Sequence, residues 1–187
     1  MPTRNELKEL AKLRLEEAET LFDAGLYDGS VYICGYVIEF ALKARICKLL
    51  DTNEYPSSGK LKSAYAVHDF EQLLLLSGLQ KKISLAHANL HTNWSIIIPW
   101  SPEMRYQPKG TISKNKAKEI LDAVRDKPNG VYRWIMKYWC RGSSFCAQKL
   151  EPRQEFGKMT RILKQEKGPL SLLMLKAFDA EMFDYWN

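Results

Sequence analysis

Across residues 7–22 the apolar side chains Leu7, Leu10, Ala11, Leu15, Ala18, Leu21 and Phe22 recur at helical spacing. Glu6, Lys8, Glu9, Lys12, Glu16 and Glu19 fill the other faces, so the pattern predicts an amphipathic helix. Gly25 is placed to end it, because glycine accepts the left-handed backbone common just past a helix. The connection is only a few residues long, which sends the next helix back antiparallel. That helix is expected from Asp28, read as its N-cap, to about Leu50. It is apolar on almost every side, with Val31, Ile33, Cys34, Val37, Ile38, Phe40, Ala41, Leu42, Ala44, Ile46 and Leu49. A helix without a polar face belongs in the middle of a bundle or between a core and a partner. Gly29, Ser30 and Gly35 are small enough to let a neighbour come close.

Residues 51–66 are rich in turn formers and predict a loop with a short helical piece at its end. A helix over His68–Leu76 follows, with Asp69 near its start and Ser77-Gly78 behind it, and then one helix from Gln80 to about Trp94. The stretch SIIIPWSPEMRYQPKG holds prolines 99, 102 and 108. Proline breaks helix interiors, so this stretch is expected to be irregular, with Ile96–Ile98 open to a short strand. A basic helix is expected over Ser113–Arg125, with Ala117, Ile120, Leu121 and Val124 as its buried stripe. DKPNG interrupts the chain before a last helix over Val131–Trp139, with Pro128 suited to its first turn. The fold class is therefore all-α. An up-and-down bundle of four to five helices occupies residues 1–140. Residues 141–187 form a C-terminal helical extension whose apolar run, Leu170–Phe183, docks on the bundle or on a second subunit.

Composition narrows the function classes. The chain has 187 residues, 45% of them hydrophobic, enough for a sizeable core. No apolar run approaches the ~18 residues a membrane helix needs. The charged N-terminus lacks the apolar core of a secretory signal, so a cytoplasmic location and no membrane partner are expected. Cys34 and Cys47 fall in the apolar helix, where a thiol is usually a small core residue. Cys140 and Cys146 match no common zinc or redox spacing, and neither a metal nor a cofactor is expected. The net charge of +6 is concentrated in residues 105–141, which carry 10 Lys/Arg against 3 Asp/Glu. Such a segment either attracts phosphates or is a solvated helix face.

Several side chains could carry chemistry. Glu39 and Lys43 stand four apart in the favourable order for a helical ion pair. They either satisfy each other at the bundle surface or line a cleft in which Lys43 meets a phosphate. The two readings differ in whether Lys43 is open to solvent. Arg105 and Tyr106 follow the proline-bent stretch. They either bind a nucleotide, with Arg on phosphate and Tyr on a base, or pin the loop, with Arg105 on a backbone carbonyl or carboxylate and Tyr106 in the core. His87 and His91 have the i, i+4 spacing of metal ligands but no third ligand or catalytic Glu.

Residues 11–46, AKLRLEEAETLFDAGLYDGSVYICGYVIEFALKARI, resemble the opening of a HEPN domain (higher eukaryotes and prokaryotes nucleotide-binding). The matching features are the amphipathic helix, the Gly-Leu-Tyr-Asp turn and the series Tyr32, Tyr36, Glu39, Lys43, Ala44. The stretches WSPEMRY, 100–106, and GVYRWIMKYW, 130–139, are similar to later parts of such domains. The resemblance implies a helical bundle that commonly forms homodimers. It also implies one of three roles: ribonuclease of toxin–antitoxin or defence systems, partner of a small nucleotidyltransferase, or non-catalytic nucleotide- or RNA-binding module. The family's nucleases carry Arg followed four to six residues later by His. None of His68, His87 and His91 has an Arg at that distance; the nearest imitations are Lys62 before His68 and Lys82 before His87. Lysine does not reproduce the bidentate grip of Arg on phosphate. The expectation is thus a nucleotide- or RNA-associated accessory module without catalysis. Lys43, Arg105 and Tyr106 are its candidate phosphate and nucleotide contacts, and Glu39 supports them. The alternatives are a divergent metal-independent ribonuclease and a scaffold that recruits protein through 141–187.

Overall fold

The computed structural model describes residues 1–56, 62–126 and 128–139. Helices α1 (Arg4–Asp23) and α2 (Tyr27–Leu49) lead the chain. They are followed by α3 (Lys62–Tyr65), α4 (Phe70–Leu76), α5 (Gln80–Ser84) and α6 (Ala88–Ile97). A 3-10 turn (Pro102–Tyr106), α7 (Lys114–Arg125) and α8 (Val131–Met136) complete the described part. The protein is all-α, a helical bundle. The chain divides into two units, one of Pro2–Tyr55 with His68–Cys140, the other of Met1, Pro56–Val67 and Arg141–Asn187. In the second unit the described structure is the short helix α3. The extension expected over 141–187 lies outside the described residues, as do Cys140 and Cys146.

In the larger unit each boundary has a local cause. Thr3 caps α1 in a capping box, its hydroxyl accepting from the Glu6 N–H while the Glu6 carboxylate accepts from the Thr3 N–H at 2.7 Å. Gly25, at φ +76°, ends α1 as its sequence position predicts. The α1–α2 hairpin is the most extensive helix pair in the unit. Within it the buried Ser30 hydroxyl donates to the Ala18 carbonyl at 2.7 Å, which ties the helices where both side chains are small.

Helix α2 is the axis of this unit and also packs against α4, α7 and α8. Its buried residues lie on all sides, among them Val31, Cys34, Val37, Ile38, Ala41, Leu42, Ala44, Ile46 and Cys47. Burial pushes the Cys34 thiol up to about 12 and that of Cys47 to about 11, so both behave as inert core residues. Gly35 is required by close approach. The Trp100 ring lies on it so tightly that a Cβ there would stand 2.0 Å from Trp100 Cε2.

The structure corrects the sequence reading in several places. Asp28 does not cap α2; Leu26 holds that position and offers no side-chain bond. Asp28 instead accepts from the backbone N–H groups of Gly110 and Ile112, at 2.6 and 2.8 Å. The single helix expected over Gln80–Trp94 is two, α5 and α6, with His87 as the N-cap of the second. The segment Ile96–Ile97 belongs to α6, since its apolar side chains pack inward from a helix. Pro128 precedes α8, whose N-cap is Gly130, and α8 ends at Met136.

Candidate functional site

Tyr32, Tyr36, Glu39 and Lys43 recur at three- and four-residue steps and so share one stripe of α2. The Tyr32 and Tyr36 hydroxyls are 3.0 Å apart, and their rings meet edge to face at 5.3 Å between centroids. Burial first, and then the bond to Tyr32, raises the Tyr36 phenol to about 12, so it stays protonated at neutral pH. Trp100 meets Tyr36 edge-on at 5.0 Å and stacks on Phe70 at 5.0 Å and 7°. Its indole N–H donates to the Tyr32 carbonyl at 3.1 Å. Trp100 thereby fixes the start of the segment that carries Arg105.

That segment is shaped by its prolines. Pro102 opens the 3-10 turn after the extended Ser101, and Gln107 returns to extended backbone before Pro108. Arg105 sits in the last turn and Tyr106 beside it, both exposed, with side-chain exposure of 43% for Arg105 and Tyr106 itself 72% exposed. The guanidinium lies over the Tyr106 ring at 4.6 Å. Hydrogen bonding to Tyr106 first, and then to Tyr32, raises the Arg105 value above that of a free guanidinium. Its carboxylate contact, to Glu103, is a long 3.5 Å and solvent-exposed. Tyr106 does not pack in the core, so of the loop-pinning arrangement considered for this pair only the contact of Arg105 with a carboxylate is present.

At the other end of the stripe, Glu39 is buried, with both carboxylate oxygens occupied. Oε1 accepts from Lys43 Nζ at 2.7 Å, and Oε2 lies 3.0 Å from His68 Nδ1. Lys43 is 13% exposed and sits 5.2 Å from the centroid of the Tyr55 ring. It is thus engaged by a carboxylate and a ring rather than free in a cleft. His68 is 53% exposed, just before the Asp69 N-cap of α4. The Glu39–His68 contact joins residues 29 apart in sequence. Periodicity gives no sign of it, because a loop and a separate helix intervene.

Other candidates separate. Lys62 is in α3, in the other unit. Lys82 lies over the Tyr138 ring at 5.0 Å, and His87 is a helix cap with no side-chain cap bond. Among the described residues no group of three His, Cys, Asp or Glu side chains is gathered for a metal. Three of the four cations of α7 are met by acids. Lys116 bonds Glu119 at 2.7 Å and Lys118 bonds Asp122 at 2.5 Å, while Arg125 bonds Asp122 at 3.1 Å and Glu19 of α1 at 2.9 Å. Most of the α7 part of the basic segment is therefore a helix face carrying its own counter-charges, whereas Arg105 lies exposed over the Tyr106 ring. No helix among the described residues is long and apolar enough to cross a membrane.

No curated protein and no solved structure matches the chain. The family model for the HEPN domain matches residues 5–127, a span that contains the α1–α2 hairpin, His68, the Pro102–Tyr106 turn and α7. The chain that sets Tyr32, Tyr36, Glu39 and Lys43 along one stripe of its central helix belongs to the HEPN family.

Proposed function

We propose that the protein is a nucleotide- or RNA-binding accessory module without catalysis of its own. It acts in the cytoplasm as a homodimer, beside a nucleotidyltransferase or within a defence or toxin–antitoxin system. The observation that carries this reading is the exposed Arg105–Tyr106 pair, with the guanidinium over the ring, carried by a proline-shaped turn that follows Trp100. A guanidinium supplies planar donors for phosphate, and an exposed ring supplies a stacking surface for a base. Lys43 contributes through Glu39 rather than by direct contact, since the two are bonded to each other. The test is titration of the full chain with fluorescent nucleotides and with short single-stranded RNA. Binding should fall about tenfold in Arg105→Ala and severalfold in Tyr106→Ala, as expected for one charge-assisted contact and one stacked base. A chain that binds neither ligand, and sediments as a monomer, would sink the reading.

A second reading draws on the Glu39–His68 pair. A buried carboxylate that engages Nδ1 orients the imidazole of a side chain that is half exposed, an arrangement suited to a general base. This favours His68 over His87 as the base of a divergent ribonuclease. RNA cleavage by the purified chain, abolished in His68→Ala and retained in His87→Ala, would establish it over the accessory role.

A further inference from the structure

We propose that the cavity beside the Pro102–Tyr106 turn is a binding site for a small, flat, uncharged aromatic molecule of one or two fused rings. It goes beyond the nucleotide reading and does not depend on it, since none of Tyr32, Tyr36, Glu39, Arg105 or Tyr106 lines the cavity. The cavity measures about 240 Å³. A closed void of about 150 Å³ takes up benzene, and this pocket, open on the side of the exposed Pro99, Gln107, Thr111 and Lys116, has room for a second ring. Its walls come from α2, α4, α6, α7 and the 99–112 segment, with Trp100, Phe70, Ile97 and Ile120 giving it a mainly apolar surface.

The polar groups of the lining specify the ligand further. Lys116 is its charged residue, and that ammonium is tied to Glu119 at 2.7 Å. The Thr111 hydroxyl donates to the Pro108 carbonyl at 2.6 Å. Gln107 contributes an amide. An ionised ligand would give up part of its hydration and compete with Glu119 for the Lys116 ammonium, whereas a neutral ring with one N–H or carbonyl finds a partner in Gln107 or Thr111. Thr111 and Ile112 form one wall, and that wall is held in place from outside the cavity. Asp28 grips the N–H groups of Gly110 and Ile112 on either side of Thr111. The site therefore has a lining and a separate latch, which can be altered independently.

The experiment is a titration of the full chain, methyl-labelled at Ile and Val, with indole as the probe. The site predicts saturable shifts at the Ile97, Ile120 and Val124 methyls, with a dissociation constant of about 1 mM or tighter, within reach of a nine-atom ligand. Ile120→Phe fills the space and should weaken indole at least about tenfold, while Asp28→Asn loosens the wall and weakens it about threefold. Arg105→Ala should leave indole unchanged. Indole-3-acetate should bind at least about tenfold more weakly than indole, for want of a free cation. Shifts that stay linear to the solubility limit would overturn the proposal, as would tighter binding of the acetate. So would equal loss of indole binding in Arg105→Ala. If Ile120→Phe does not fold, the position of the shifts and the Asp28→Asn variant decide the matter.

Discussion

Two faces of α2 meet at Trp100 and are built on opposite principles. On one, Val31, Gly35 and Ile38 present a surface on which the indole rests directly against helix backbone. On the other, Tyr32, Tyr36, Glu39 and Lys43 present hydroxyls and charges, each engaged by a neighbour. At Gly35 the first face positions by exclusion, since a Cβ there would stand 2.0 Å from the Trp100 ring. The second positions by saturation, since its buried carboxylate needs both partners. A single tryptophan serves both, so the shape of the apolar face sets where the 102–106 turn carries Arg105.

The contrast can be broken most severely at Gly35. A methyl group there collides with a large buried ring that cannot yield as a flexible chain would, so Gly35→Ala should cost about 3 kcal/mol, the upper end for overpacking. Urea unfolding measures it, and a near-wild-type midpoint would show that Trp100 does not rest on α2. On the saturated face, Glu39→Gln keeps the shape but removes the charge that Lys43 and His68 engage. A loss of about 2 kcal/mol is expected by the same assay, with a smaller loss when Lys43→Met is introduced alongside it. Such a double-mutant cycle separates the pair from the packing.

Ser30→Ala removes the buried hydroxyl bond to Ala18 and should cost about 1 kcal/mol, without effect on nucleotide binding. Arg105→Ala should change stability by less than about 0.5 kcal/mol while weakening nucleotide binding, the reverse of Ser30→Ala. The smallest effect is the pH response of Asp28. The backbone N–H groups of Gly110 and then Ile112 hold its carboxyl below the ordinary value of 3.8. A lowered value in the folded state stabilises above the ordinary carboxylate range, and that contribution is lost as pH falls through the lowered value. Thermal midpoints between pH 6 and pH 3 should therefore decline less steeply in Asp28→Asn than in the native chain.

Much of the architecture could be read from residue order because it follows from local rules. The spacing in α1, the Gly25 stop and the apolar circumference of α2 each act over a few residues. The failures share a cause as well. Asp28 has the chemistry of an N-cap, yet its carboxylate is drawn to the two N–H groups of a loop 82 to 84 residues away. The apolar content of 80–94 fits one helix, but Leu85–His87 breaks it into two.

By itself the sequence determined an all-α bundle built on the α1–α2 hairpin, and the motif residues that place the chain in its family. These depend on periodicity and caps, whose range is a few residues. Only the tertiary structure decided which charges remain available. It paired Lys116, Lys118 and Arg125 of α7 with acids, closed Lys43 onto Glu39 and Tyr55, brought His68 to the same carboxylate and left Arg105 exposed on Tyr106. Electrostatic pairing falls off over a few ångströms of space and takes no account of separation along the chain, so a charge count cannot foresee it.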